Sequence, residues 1–265
     1  GKLPLWNSFS FSGTPLLATY HSAVLQPFNF LLLLPNYAGW GLYIFGQTVM
    51  ASVGMYLLLA FYGINRPLSR ISGSIIFSLS GLMTTWLEFG TGVWAVAMLP
   101  WVIWSVESFM KFASYRYLVL LAFSFTTLYL SGNAQITQYS SILFWAYIVF
   151  KVFSGQLSKI KLLLLLGGWS LSLGLSAIQL LPAIDHMNST IRTTDIPVLG
   201  AGHDGLNDWF EMVRLFAPDF FGNPASYNFF GKGSYHEQAS FLGVLTIPLI
   251  AALIFIKKKP KNIYF

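Results

Sequence analysis

Asp185, His186, Ser189 and Arg192 follow closely in the stretch AIDHMNSTIR. At helical spacing Asp185, Ser189 and Arg192 share one face. A carboxylate, an imidazole and a guanidinium at a membrane surface can handle a lipid phosphate, because the fork of Arg donors matches phosphate oxygens. The same residues read equally well as an ordinary interfacial salt bridge. Further on, DWFEMVRLFAPDFFGNP carries Asp208, Glu211, Arg214 and Asp219, and SYHEQASFLG carries His236 and Glu237. Asp and His can ligate a divalent cation, but these show no tight ligand spacing. No metal site is assigned, and the cofactor stays open, a divalent cation included.

Two other places collect polar groups beside apolar runs. Glu88 stands in TTWLEFGTG. An ionisable group near hydrocarbon is a functional candidate by default; the plainer reading is a carboxylate among outer headgroups. In SGNAQITQY, the amides of Asn133 and Gln135, with Ser131 and Gln138, gather at a turn. They can bind a sugar or a phosphate, or cap two helix ends, and capping is the simpler role.

The elements that position these residues follow from composition. The chain has 265 residues, 55% hydrophobic, 17% aromatic and only 9% charged. Its mean hydropathy is +0.63. A soluble domain carries about 25% charged residues, so a soluble enzyme is excluded, as is a disordered chain. With Cys at 0, disulfide scaffolds, thiolate nucleophiles and iron–sulfur ligation are excluded as well. An integral membrane protein remains. No Walker loop, Rossmann fingerprint or HExxH motif is present. GKLPLWNSFS lacks signal-peptide organisation, and we expect the chain to be an internal piece of a longer protein.

Crossing about 30 Å of hydrocarbon takes roughly 20 apolar residues, with about 17 as a lower limit. Seven stretches are candidates, several of them short: 38–62, 71–87, 90–106, 116–131, 135–150, 161–181 and 239–256. The second and third, and the fourth and fifth, form tight hairpins. If the first runs from outside to inside, 11 of the 15 basic residues fall inside and eight of the nine acids outside, Glu107 being the exception. That is the pattern of the positive-inside rule, and it makes the basic residues inner-leaflet anchors rather than a nucleic-acid patch. The expected fold is all-α and polytopic, with about seven transmembrane helices and short interfacial helices in the outer loops. Its parts are an outer loop with an interfacial segment (1–37), a six-span bundle (38–181), a long extracytoplasmic loop (182–238), and a seventh span with a basic cytoplasmic end (239–265). Pro182 should stop the sixth helix. The long loop is rich in aromatics, which argues against disorder.

Several of these stretches resemble the bacterial YfhO-type membrane proteins. GKLPLWNSFSFSGTPLLA resembles the first outer loop of that family. QLLPAIDHMNSTIR resembles its segment at the end of a span, and LFAPDFFGNP and EQASFLG resemble two segments before a later span. The order and spacing agree over essentially the whole chain. The resemblance implies a type C glycosyltransferase-like enzyme in the bacterial cytoplasmic membrane. It would take a sugar from a polyprenyl-phosphate carrier and pass it to an extracytoplasmic acceptor, a cell-envelope polymer or lipid such as lipoteichoic acid. The family's usual acidic catalytic candidate would precede Gly1, so the catalytic residue is unassigned. Many relatives have His where this chain has Glu88. Candidates for donor phosphate and sugar are Arg192, Arg214, His186, Asp185, His236, Glu237, Glu88, Asn133 and Gln135. The alternatives are a lipid or polysaccharide flippase or transporter, and a non-catalytic assembly partner.

Overall fold

Long runs without charge leave the backbone one way to satisfy its polar groups away from water, the helix. A computed structural model describes residues 5–9, 12–35, 37–189, 209–231, 234–239, 241–243, 246–252 and 255. The fold is all-α apart from one hairpin, in which β1 (Trp6–Asn7) pairs antiparallel with β2 (Thr14–Pro15). The helices are α1 (Ala38–Phe61), α2 (Pro67–Ser78), α3 (Gly81–Trp86), α4 (Val93–Phe112), α5 (Tyr115–Tyr129), α6 (Ala134–Phe153), α7 (Lys159–Asn188) and α8 (Thr246–Ala252). Short 3-10 turns add Pro27–Leu33, Leu87–Phe89, Trp209–Leu215, Pro224–Ser226 and His236–Gln238. Helices α2, α1, α4, α5 and α7 lie side by side in that order, and α6 packs across α4 and α5.

Among the described residues four helices, α1, α4, α6 and α7, are long and apolar enough to cross a membrane. They match the expected first, third, fifth and sixth spans. The expected second span, 71–87, is not one helix: it breaks after Ser78 into α2 and the six-residue α3. The break exists because the Gly81 N–H leaves the helical ladder for the Phe241 carbonyl, at 2.7 Å. The expected fourth span is α5, whose 15 residues reach only about 22 Å at 1.5 Å per residue. Much of the expected seventh span lies outside the described residues.

Pro182 does not end the sixth helix. Helix α7 continues through it to Asn188, so the loop expected from residue 182 starts about two turns later. A proline removes one hydrogen bond, and helices in apolar surroundings tolerate that loss when neighbouring groups take up the freed carbonyl.

Helix α4 is the core: 72% of its apolar window is buried, against 22% for α1. Around it, small residues let backbones approach. On α1 the buried stripe is Gly39, Tyr43, Gln47, Ala51, Gly54 and Leu58. A Cβ at Gly54 would lie 2.5 Å from Trp101 Nε1, and that indole donates to the Met50 carbonyl at 2.9 Å. On α7 the buried stripe is Leu165, Gly168, Ser172, Ser176 and Gln179, while Leu163, Leu171, Leu175, Ile178 and Leu181 are exposed. Small and polar residues inside with leucines outside is the pattern of helices packed in lipid, where close backbone contact rather than hydrophobic burial drives association.

Charge divides the bundle end to end. Among the described residues, every Lys and Arg except Arg214 falls in the connections and helix termini at one end, which we call the basic end. Contacts join these termini: Lys111 Nζ lies 5.2 Å from the centre of the Phe61 ring, and Lys161 Nζ donates to the Met110 carbonyl at 2.6 Å.

Candidate functional site

At the far end, α3, α4, α6 and the His236–Gln238 turn enclose an open groove of about 490 Å³. Its walls are Leu82 and Trp86 of α3, Val96 and Leu99 of α4, the Gln135-to-Leu143 face of α6, and Glu237 with Gln238. Two features build it. Residues 236–239 are strapped to α3: Trp86 Nε1 donates to the His236 carbonyl at 3.0 Å, and the His236 ring packs on Trp86 and Phe89 at 5.0 and 4.9 Å. Gly81 makes the strap possible, since a Cβ there would stand 2.9 Å from the Ala239 carbonyl oxygen. The second feature is the start of α6. Asn133 accepts from the Ile136 N–H at 2.9 Å as an N-cap, satisfying one of the free donors of the first turn.

From that cap, Gln135, Ile136, Tyr139, Ser140 and Leu143 recur at helical spacing and descend along one face. Gln135 Nε2 donates to Tyr139 Oη at 2.9 Å. The groove is therefore graded. Along α6 the lining passes from the Gln135 amide and the Tyr139 phenol to Leu143, with Val96 and Leu99 of α4 and the exposed carboxylate of Glu237 completing the walls. Such a cleft suits a molecule with a polar head and an apolar tail. The Glu237 carboxylate can accept a proton or a hydrogen bond from a hydroxyl placed there.

Of the residues singled out by sequence, Gln135 and Glu237 line the groove, while Asn133 and His236 hold its walls. Glu88 is exposed on the turn after α3 and is not a lining residue. Asp185 and His186 sit on the last turns of α7, away from the groove lining, where Ser189 Oγ donates to the Asp185 backbone carbonyl at 3.2 Å. Arg192 and Asp208 lie outside the described residues.

Arg214 requires a correction. It is 2% exposed, its Nε stands 2.7 Å from Glu211 Oε2, and its guanidinium lies 5.0 and 5.4 Å from the centres of the Phe221 and Phe229 rings. A guanidinium so enclosed organises the 209–231 segment and is not presented to a ligand phosphate. Nearby, Asp219 accepts from Tyr235 Oη at 2.6 Å and Asn223 Nδ2 at 3.0 Å. Desolvation, reinforced by the bond to Asp219, pushes the Tyr235 phenol up to about 12. Among the described residues no three His, Asp or Glu side chains gather as a metal site.

Sequence reasoning missed a second polar cluster, at the basic end. Glu107 of α4 and Lys151 of α6 form an ion pair at 2.7 Å with side chains 9% and 3% exposed. The Tyr147 hydroxyl donates to Glu107, Tyr62 Oη lies 3.1 Å from Tyr147 Oη, and Lys151 Nζ donates to Gln156 at 2.8 Å. Lys151 is thus a buried partner and not the surface anchor that charge counting implies. The one signal was Glu107 itself, the single acid on the basic side.

Searches against known protein families, characterised proteins and solved structures give no match to this chain.

Proposed function

We propose that the chain is the membrane part of a YfhO-like, type C glycosyltransferase of the bacterial cytoplasmic membrane, with the groove end facing outward. It moves a sugar from a polyprenyl-phosphate carrier to a cell-envelope acceptor. In this reading α2–α3 and α5 complete the expected polytopic bundle as a broken and a short span, and residues 239–256 supply the last crossing. The observation that carries the proposal is the graded groove: a carboxylate and amides stand above an apolar channel that is open between helices. A lipid-borne substrate enters such a cleft from the side, and the Glu237 carboxylate is placed to take the proton of an attacking hydroxyl. Arg192 is assigned to the donor phosphate on the chemistry of its side chain alone.

The test supplies the full-length protein in membranes with labelled polyprenyl-phosphate sugars, with and without a divalent-cation chelator. The reading expects label in envelope polymer or lipid, lost in Glu237→Gln and in Arg192→Ala. Donor left unconsumed across a broad panel would overturn it.

One observation favours the runner-up, a lipid or polysaccharide flippase. Transporters bury ionisable residues within the bundle, and Glu107 and Lys151 are so buried. They occupy the final turns of α4 and α6 and are paired with each other, which fits a clasp better than a substrate path. Labelled lipid crossing the bilayer while donor stays intact would favour the flippase.

A further inference from the structure

The lining of the groove also selects among ligands. Its one carboxylic side chain among the described lining residues is Glu237, and its other polar lining groups are the amides of Gln135 and Gln238, the Tyr139 phenol, the Ser140 hydroxyl and the Trp86 indole. Amides and hydroxyls both donate and accept, which matches the alternating needs of sugar hydroxyls. A carboxylate is acceptor-only, so it too prefers a hydroxyl and repels a phosphate. The aromatic wall of Trp86 adds an apolar face with a polar edge, suited to a sugar ring. His236 has its ring packed on Trp86 and Phe89 and is not a lining residue. Arg214, which could neutralise an anion, is held by Glu211.

The deeper half adds the second requirement. Between Gln135 and Leu143 the α6 face descends about 12 Å at 1.5 Å per residue, passing from an amide to leucine. Val96 and Leu99 of α4 and Leu82 of α3 stand opposite. A head held at the mouth therefore directs its tail along these side chains into the hydrocarbon.

We infer that the groove binds a neutral glycolipid, a lipid with an uncharged polyhydroxylated head, and not the phosphate-bearing donor. The inference rests on the glycosyltransferase reading only in naming this lipid the acceptor; the binding preference stands on the lining itself. The sugar of the head lies among Gln135, Tyr139 and Glu237, and its acyl chains lie on Val96, Leu99 and Leu143.

The experiment uses the full chain in phosphatidylcholine nanodiscs and a diacylglycerol glucoside carrying a photoreactive group on one acyl chain. Crosslinks are expected on the peptides holding Val96, Leu99 and Leu143. Unlabelled diacylglycerol glucoside should suppress them, and undecaprenyl phosphate at equal concentration should not. Glu237→Gln and Gln135→Ala should each weaken labelling about tenfold, a loss equivalent to about 1.4 kcal/mol. Leu143→Trp places bulk at an exposed lining position, where folding is undisturbed, and should abolish labelling. Equal or better competition by undecaprenyl phosphate overturns the inference. So does label spread evenly over the outward leucines of α7, and so does full labelling of Leu143→Trp. Sugar transfer read on the same samples separates the two proposals: glycolipid bound with no transfer from any donor removes the enzyme and keeps the groove's preference. Transfer that survives Leu143→Trp unchanged removes the groove and keeps the enzyme.

Discussion

The two ends of the bundle use charge in opposite ways. At the basic end an acid and a base are withdrawn from solvent and spent on each other, with two tyrosines and a glutamine around them. At the groove end the carboxylates of Glu88 and Glu237 are exposed, and Asn133 satisfies a helix terminus beside an open cleft. A closed polar cluster fixes helices, since every member has its partner. An open one leaves capacity for a ligand. The contrast therefore separates a clasp from a site within the same three or four helices.

The largest expected effect comes from breaking the clasp. Removing one partner of a buried pair strands the other, at a cost of about 3–5 kcal/mol. Lys151→Met should therefore lower the thermal unfolding midpoint in mild detergent steeply. The double variant Glu107→Gln with Lys151→Met should recover most of the loss, because the introduced amide carries no charge and its carbonyl oxygen still accepts from Tyr147. A double variant as unstable as the single one would show that the pair is not the unit that matters.

Next is the close approach of α1 and α4. Gly54→Val pushes a side chain into the Trp101 indole, whose nitrogen stands 2.5 Å from the Cβ position. Overpacking of this kind costs about 1–3 kcal/mol, and the Trp101 bond to Met50 is lost with it. Gly41, with open space around its Cβ position, should accept alanine without loss and serves as the control in the same melts.

A smaller effect is expected where the segment before α1 is tied to the bundle. The buried Tyr20 hydroxyl donates to the Tyr129 carbonyl, and Gln179 Nε2 donates to the Tyr20 carbonyl at 3.1 Å. Tyr20→Phe should cost about 1 kcal/mol. Burial raises the Tyr20 phenol from 10.0 to about 12. A raised folded-state value means that the contribution is complete below pH 10 and is lost as pH rises through about 12. The difference in stability between the parent and Tyr20→Phe should therefore hold below pH 10 and shrink toward pH 12; a difference that grows in that window would contradict the assignment.

Smallest in stability is Glu237→Gln. The side chain is exposed, and exposed substitutions usually stay within about 0.5 kcal/mol. Its melting behaviour should match the parent while glycolipid labelling falls. A large loss of stability would make Glu237 part of the scaffold and erase the contrast between the two ends.

Much of the helical frame was legible because it is written locally. Apolar length marks α1, α4, α6 and α7, and the Asn133 cap was read from its turn. The rest depends on partners distant in sequence. The break between α2 and α3 comes from the Phe241 carbonyl, which no local pattern announces. Pro182 reads as a stop in isolation, yet α7 continues past it. Glu107 and Lys151 look like two unrelated charges near helix ends until α4 and α6 are placed together. Arg214 looked available because sequence does not show the Phe221 and Phe229 rings and the Glu211 carboxylate that enclose it. Gln135 and Glu237 were each singled out alone, and only the strap of 236–239 over α3 makes them parts of one groove.

These 265 residues contain no Cys, so a single cysteine introduced among them is their one maleimide target. The most direct measurement compares Gln135→Cys, at the groove mouth, with Lys159→Cys, exposed at the start of α7 at the basic end. A membrane-impermeant maleimide is added to intact cells, with and without a long-chain alkyl glucoside, supplied at well over ten times the concentration that fills the parent groove because the variant lacks the Gln135 amide. The account predicts that Gln135→Cys reacts from outside, that the glucoside slows this reaction, and that Lys159→Cys reacts only after the cells are opened. Lys159→Cys labelled from outside, or Gln135→Cys labelled at the same rate with the glucoside present, would contradict it.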